Sequence, residues 1–577
     1  MTRVRIGALF AVTTIVFAAC GGASTSTAPS TASSTAPSTA PGASEAPSVA
    51  PSAAGGTPKQ GGTLVVAIPG DIAGTDPLLV SDASSSYVLQ QIVETLVTLK
   101  PGTGDDIVPG LAESWTLSTD GLTYTFKIRS GVKFSDGTDL DAAAVKFNFD
   151  RWLNLPQSYV DAGLTFYPDT VIGRGATANV VKTDAPDATT FSLTLKAPNS
   201  AFLIQLTLTP FGISSPKALA DGKASDPDFK KNLYANGGPP AATGTGPFVF
   251  KEWVTGDHVT LTKNPSYWNA SAGGPYLDGI TFKPIADPTA TLNALQSGDV
   301  DISQTLAPVD VPTAKADTKL QYYDRGSACN TGVLAMNQKF KPFDNLKIRQ
   351  AVAYAINRQA LVDAFFGDTG VVLKNWAPPG TKFLNDLEIP GYDPDKAKAL
   401  IAESGVTDLS FDFWYPTSVS RPYMPDPKGE FEAILRDLEA VGFKPNPQSA
   451  IWNPTYLDAE EVGKYPAFLI GWNCDWLGID NFLFTAFFGY RGNPTGPNPE
   501  YANKNDAMNA AMLAALASSD EATQQSEWTK AQDLILADMP SVPIVSGKTP
   551  AAGQTYVKGV VPSPVLLEIF TDTWLDK

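Results

Sequence analysis

The sequence predicts a mixed α/β fold, and three kinds of observation carry that reading. Short runs of period-two alternation recur along the chain, as strands with one buried face require. Amphipathic stretches with readable caps lie between them. An uncharged apolar run, Phe468 to Trp472, has the composition of a strand buried on both faces inside a sheet.

The first 59 residues read differently from the rest. Arg3 and Arg5 precede an apolar run from Ile6 to Phe17, closed by Ala18-Ala19-Cys20-Gly21. This is the pattern of a secretory signal, and the run is too short for a membrane-spanning helix, which needs about 20 apolar residues. Its small-small-Cys-Gly ending resembles a bacterial lipobox. Residues 1–20 are therefore expected to be a lipoprotein signal peptide, with Cys20 the lipidated residue. Residues 21–59 are almost entirely Ser, Thr, Ala, Pro and Gly. Ordering such a stretch costs backbone entropy with no apolar surface to bury, so it is expected to be a disordered tether. The expected location is extracytoplasmic, on the membrane through Cys20.

In the body that follows, Tyr124, Phe126 and Ile128 alternate along Thr123–Arg129 and predict a strand. Asp141 can cap a helix that places Val145, Phe149 and Trp152 on one face. Phe191, Leu193 and Leu195 predict a second strand, and Ile348, Val352 and Ile356 a helical stripe, with Asn357 capping the next helix. Asp393-Pro394 opens a helix that Gly405 closes. Leu409, Phe411 and Phe413 alternate, Glu430–Val441 is helical up to Gly442, and Glu521–Asp538 is the last long helix.

Composition excludes several activities. The 59 acidic against 42 basic residues leave a net charge of -17, the wrong sign for neutralising phosphates, so no nucleic-acid partner is expected. A single histidine, His258, and three cysteines leave too few ligands for a zinc or haem centre; no metal site and no cofactor are expected. No nucleophile elbow, phosphate-binding loop or zinc-protease motif is present, so no catalytic residue is assigned. His258 lies in a surface strand and reads as structural. Acidic residues are plentiful, but nothing selects a glycosidase pair. The 11 Trp include Trp376, Trp414, Trp452, Trp472 and Trp476 in the last third, residues suited to a ligand cleft but more often core.

Glu113-Ser-Trp115, Asp120 to Arg129 and Gly131-Val-Lys-Phe-Ser-Asp-Gly137 are similar to the signature of the family 5 extracellular solute-binding proteins. These are the oligopeptide- and dipeptide-binding components of ABC importers. Gly244 to Phe248 with Trp253, Asn264 to Trp268, Leu295 to Ile302, Arg349 to Arg358, Tyr392 to Gly405 and Gly471 to Asp475 with Asp480-Asn-Phe482 continue the resemblance in order. It implies a type II periplasmic-binding-protein fold, two lobes around a hinged cleft. Lobe one would span 60–325 and be completed by 546–577; lobe two would span 326–545. The hinge passages would be Tyr322–Cys329 and the strand after Pro540.

The resemblance also implies a function: capture of a solute, foremost a peptide, and delivery to membrane permease subunits, by a monomer without enzymatic activity. Asp475 matches the aspartate that pairs with a peptide's ammonium group in relatives, although an aspartate capping its own turn is equally compatible with the sequence. Trp472 and Trp476 flank it and can wall the ligand. Ser84 begins a helix whose free N–H groups face the cleft in relatives. Once Cys20 is lipidated, Cys329 and Cys474 remain, either as a disulfide, found between these regions in some relatives, or as two separate buried thiols. The fold also accepts oligosaccharides and metal chelates. The tryptophans favour sugars, and the scarcity of histidine disfavours metals bound directly by protein. A secreted hydrolase is a further alternative without a motif, as is a sensor or adhesion protein using the tether.

Overall fold

Residues 56–175, 178–490 and 498–577 are described by a computed structural model. The signal segment, Cys20 and residues 21–55 of the expected tether lie outside the described residues. Among the described residues no helix is long and apolar enough to cross a membrane.

Two mixed sheets organise the body. The first has seven strands, in the order Leu320–Tyr323, Ala551–Gln554, Ile302–Ser303, Thr63–Ile68, Gly279–Pro284, His258–Lys263 and Phe248–Val254. Its centre is parallel: Thr63–Ile68 pairs in parallel with both Gly279–Pro284 and Ile302–Ser303. The second has six strands, in the order Gly370–Val372, Ser541–Gly547, Asn330–Met336, Ala467–Asn473, Ser410–Thr417 and Lys444–Ile451. The last three run parallel, while Asn330–Met336 is antiparallel to Ala467–Asn473. The apolar run at 468–472 is thus an interior strand, as its lack of charge predicts, with Phe468 to Gly471 buried.

A third, four-stranded antiparallel sheet contains both alternating segments of the first half, Thr123–Ile128 and Thr190–Leu195. The helix Ala142–Leu153 covers it. Asp141 caps this helix by accepting from the Ala144 N–H at 2.8 Å, and Phe149 meets Phe191 across the layer at 4.9 Å between ring centres.

The helices over the second sheet start and stop where short-range chemistry dictates. Asp393 accepts from Lys396 N–H ahead of Pro394, and Gly405 ends the helix in the left-handed region at φ 69°. The helix expected from Glu430 begins earlier, at Pro427, because Asp426 caps it and proline fits the first turn. Its Phe431, Ile434 and Leu438 are buried against the sheet, Phe431 lying 4.4 Å from Phe413. Each such side chain contributes about 1.5–3 kcal/mol by leaving water.

The chain leaves the first sheet after Tyr323 and enters the second at Asn330, then returns between Gly547 and Ala551. The strand after Pro540 pairs wholly within the second sheet, so the return passage is 548–550 rather than that strand. Arg325 ties the two passages together. Its buried guanidinium donates to Thr549 O at 2.9 Å and to the Glu568 carboxylate at 2.6 Å.

Candidate functional site

The strands Ser410–Thr417, Lys444–Ile451 and Ala467–Asn473 run parallel, so their carboxyl ends lie at one edge of the second sheet. Open α/β sheets place ligands at such an edge. The segments leaving these strands carry Arg421, Trp452 and Asp475 in turn. Arg421 and Met424 close a tight turn by reciprocal backbone hydrogen bonds of 3.0 and 2.9 Å. Gly471 lets this turn lie on the sheet, since a Cβ there would collide with the Tyr423 ring. The Arg421 guanidinium sits 5.0 Å over the Trp452 ring, and its buried Nε has no hydrogen-bond partner among the described residues.

Asp475 lies two residues past the end of its strand and is held by Asn481. The Asp475 N–H donates to Asn481 Oδ1 (3.0 Å), and Asn481 Nδ2 donates back to Asp475 Oδ2 (3.1 Å). Trp472 Nε1 donates to the same Asn481 oxygen at 3.1 Å. Asn481 is fully buried, so it fixes both residues from beneath. The other carboxylate oxygen, Oδ1, accepts from the hydroxyl of Tyr167 at 2.6 Å. Beside it, the Phe166 ring lies 6.1 Å from Trp472. Phe166 and Tyr167 come from the first half of the chain, and Tyr167 packs in the core of the four-stranded sheet, so this contact joins that part of the molecule to the segment leaving the second sheet.

Burial, and then the negative charge of Asp475, push the Tyr167 phenol well above its usual range, so it remains a donor. The charge of Asp82 acts on Tyr167 in the same direction, which brings the start of the helix Ala83–Leu89 into the same field.

Ser84 lies on that helix, 7% exposed, against Gly70 just past the carboxyl end of Thr63–Ile68. Asp82 caps this helix by accepting from the Ser85 N–H with its side chain (2.8 Å), while the Ser86 N–H makes the helix's own first bond to Asp82 O (3.1 Å), so the cap takes one of the opening donors. Trp476 departs from expectation. It is 1% exposed, and its indole N–H is spent on the Asp480 carboxylate at 3.0 and 3.1 Å, so it offers no open ring face. The reason is local: the segment after Asp475 turns back on itself and folds Trp476 inward over Asp480. Burial pushes Asp480 up to about 6, against the opposing effect of the Trp476 hydrogen bond.

Cys329 and Cys474 form a disulfide with Cα atoms 5.4 Å apart, and the Cys474 N–H donates to Cys329 O at 2.8 Å. The bridge joins the first passage between the sheets to the residue before Asp475. His258 is bonded to its neighbour Asp257 on a surface strand, consistent with a structural role. Among the described residues no three His, Cys, Asp or Glu side chains are grouped to hold a metal ion.

Sequence reasoning overlooked Tyr167, Arg421 and the role of Asn481. Asn481 stood within a motif but carried no sign that it orients Trp472 and Asp475. Tyr167 reaches its partner across 308 positions and has no local signature. Arg421 had one usable signal, its place just beyond an alternating strand.

The family model described as bacterial extracellular solute-binding proteins, family 5 middle, matches residues 106–494. The chain is 31% identical over 512 residues to Heme-binding protein A of Haemophilus influenzae, covering 86% of this chain and 89% of that one. It is 32% identical over 445 residues to the dipeptide-binding protein of Escherichia coli, covering 74% and 79%. Among solved structures, the periplasmic binding protein DppA from Helicobacter pylori in complex with peptide STSA superposes with a TM-score of 0.76 at 26% identity. That match covers 90% of this chain and 99% of the other.

Proposed function

Since this chain belongs to the family 5 bacterial extracellular solute-binding proteins and has their type II periplasmic-binding-protein fold, two lobes around a hinged cleft, we propose that it captures peptides with a free amino terminus for an ABC importer. It acts by binding and release, without chemistry on its ligand. The observation that carries this reading is the placement of Asp475, a carboxylate oriented by a buried asparagine at the carboxyl edge of three parallel strands. In a partly dry cleft, a carboxylate and an ammonium group form a strong charge-assisted bond. Arg421, at the same edge, offers the complementary charge for the ligand's carboxylate. Trp472 and Phe166 form aromatic walls for side chains, and Ser84 borders the cleft from the first lobe.

The lobes of this reading are 60–325 with 546–577, and 326–545. The two sheets support the division, since their strands fall on either side of the passages at 324–329 and 548–550. Cys20 carries the lipid anchor, residues 21–59 form the tether, and the monomeric body hands its ligand to the permease subunits outside the cytoplasmic membrane. Native mass spectrometry of the purified chain, followed by ligand release, tests the reading directly. Co-purified peptides are the expected result, and cargo without an amino terminus would overturn it. A second reading, capture of a metal chelate such as haem, draws on the likeness to Heme-binding protein A. It predicts a visible absorption band on titration with haem.

A further inference from the structure

Gln304 directly follows the strand Ile302–Ser303, at the carboxyl end of the parallel trio in the first sheet. Its main chain is pinned on both sides. Its N–H donates to Ala67 O at 2.9 Å, and its carbonyl accepts from Arg325 Nη1 at 2.7 Å. Because Arg325 also holds Thr549 O, Gln304 sits beside both passages between the sheets.

Its side chain is anomalous. The residue is 1% exposed, yet neither Nε2 nor Oε1 has a hydrogen-bond partner among the described residues. An unpaired buried amide is costly at both ends, and native proteins retain few of them. A methionine or leucine would fill similar space without that cost. What glutamine adds is one donor and one acceptor side by side, the complement of the C=O and N–H of a peptide group.

Its position fits such a role. The carboxyl ends of parallel strands are where α/β sheets meet their ligands. On the neighbouring strand of the same trio, that end leads to Gly70, against which the Ser84 hydroxyl lies.

We propose that Gln304 binds the backbone of a peptide ligand, its Oε1 accepting from an amide N–H and its Nε2 donating to a carbonyl. The inference rests on the peptide reading above and deepens it. Asp475 recognises a charge that any amine carries, whereas Gln304 recognises the repeating amide that makes the ligand a peptide. Because every residue of a peptide presents that amide, the contact is indifferent to side-chain identity.

The test offers the chain an equimolar library of di- to pentapeptides with free termini and reads captured species by native mass spectrometry. The wild-type chain captures peptides. Gln304→Met, which keeps the length and removes both polar atoms, binds them weaker by about tenfold, the size of a lost buried hydrogen bond. Its peptide-free melting temperature equals or exceeds that of wild type, because the unpaired groups are gone. On the wild-type chain, N-methylation of one backbone amide in the best-captured peptide produces a similar loss. In Gln304→Met the same N-methylation produces no further loss.

If the wild-type chain captures no peptide, the peptide reading falls and this inference with it. If the wild-type chain captures peptides but Gln304→Met binds them equally well, the peptide reading stands and the inference alone is overturned. A lower melting temperature with unchanged affinity has the same meaning, and marks Gln304 as structural or as the seat of an internal water. Should the variant fail to fold, the N-methyl series on the wild-type chain decides, and insensitivity at every amide overturns the inference.

Discussion

The hydroxyl of Tyr167 donates to Asp475 Oδ1 at 2.6 Å, joining the two halves of the molecule at the residue proposed to read the ligand's charge. The bond leaves the orientation of Asp475 to Asn481, which holds the other carboxylate oxygen. It also ties a residue of the first half of the chain to the segment leaving the second sheet. On the proposed peptide reading, Asp475 serves both as the recognition group and as a latch.

Tyr167→Phe removes this latch and little else, because the ring keeps its packing. The expected result is a ligand affinity reduced about five- to tenfold, the equivalent of about 1–1.4 kcal/mol for a partly exposed hydrogen bond to a charge. The melting temperature of the ligand-free protein should change little. Calorimetric titration with a captured peptide, alongside small-angle scattering to follow closure, checks both. An unchanged affinity would assign the bond no part in closure.

Asp480 gives a pH-dependent prediction. A free aspartate titrates at 3.8, whereas burial raises Asp480 to about 6. Between those values the folded chain keeps a proton that the unfolded chain has lost, so this residue favours folding at low pH. That contribution is lost as pH rises through about 6, and above it ionisation costs up to about 3 kcal/mol, from the difference of roughly 2.2 pH units. Asp480→Asn keeps an acceptor for Trp476 and removes the charge. The variant should melt higher than wild type at pH 8 and gain about half as much at pH 5. Equal shifts at both values would contradict the assignment.

The Cys329–Cys474 bridge closes a loop of 145 positions. Replacing both cysteines with serine should cost about 2–4 kcal/mol, chiefly by freeing the unfolded chain. The fold should survive, because the paired strands on either side keep their register. Thermal melts of the variant against the parent measure the loss, and thiol labelling of the unreduced parent at these positions would contradict the bridge.

The fold was far more legible in the sequence than the site. Asp141, Asn357 and Asp393 announced their helices because a cap is a contact within three or four residues, visible in any short window. The strand at 468–472 could be placed inside a sheet because a run without charge has nowhere else to go. Asp475 and Trp472 were singled out because they leave that strand. Trp476 was misjudged for the same reason: proximity in sequence suggested a shared cleft, but the turn that carries it inward depends on Asp480 and Gly478. Tyr167 and Gln304 were silent, and Arg421 offered only its place beyond an alternating strand, since their significance lies in contacts, or missing contacts, that arise only after distant segments assemble.

The central claim, that Asp475 reads a ligand ammonium group, is tested most directly by calorimetric titration of wild-type and Asp475→Ala chains. Each is titrated with one captured peptide in free-amine and N-acetylated form. Wild type should prefer the free amine by roughly tenfold to a hundredfold, the range of a charge-assisted hydrogen bond. In Asp475→Ala that preference should disappear, with the acetylated peptide little affected. A preference that persists undiminished in Asp475→Ala would show that the ammonium group is read elsewhere.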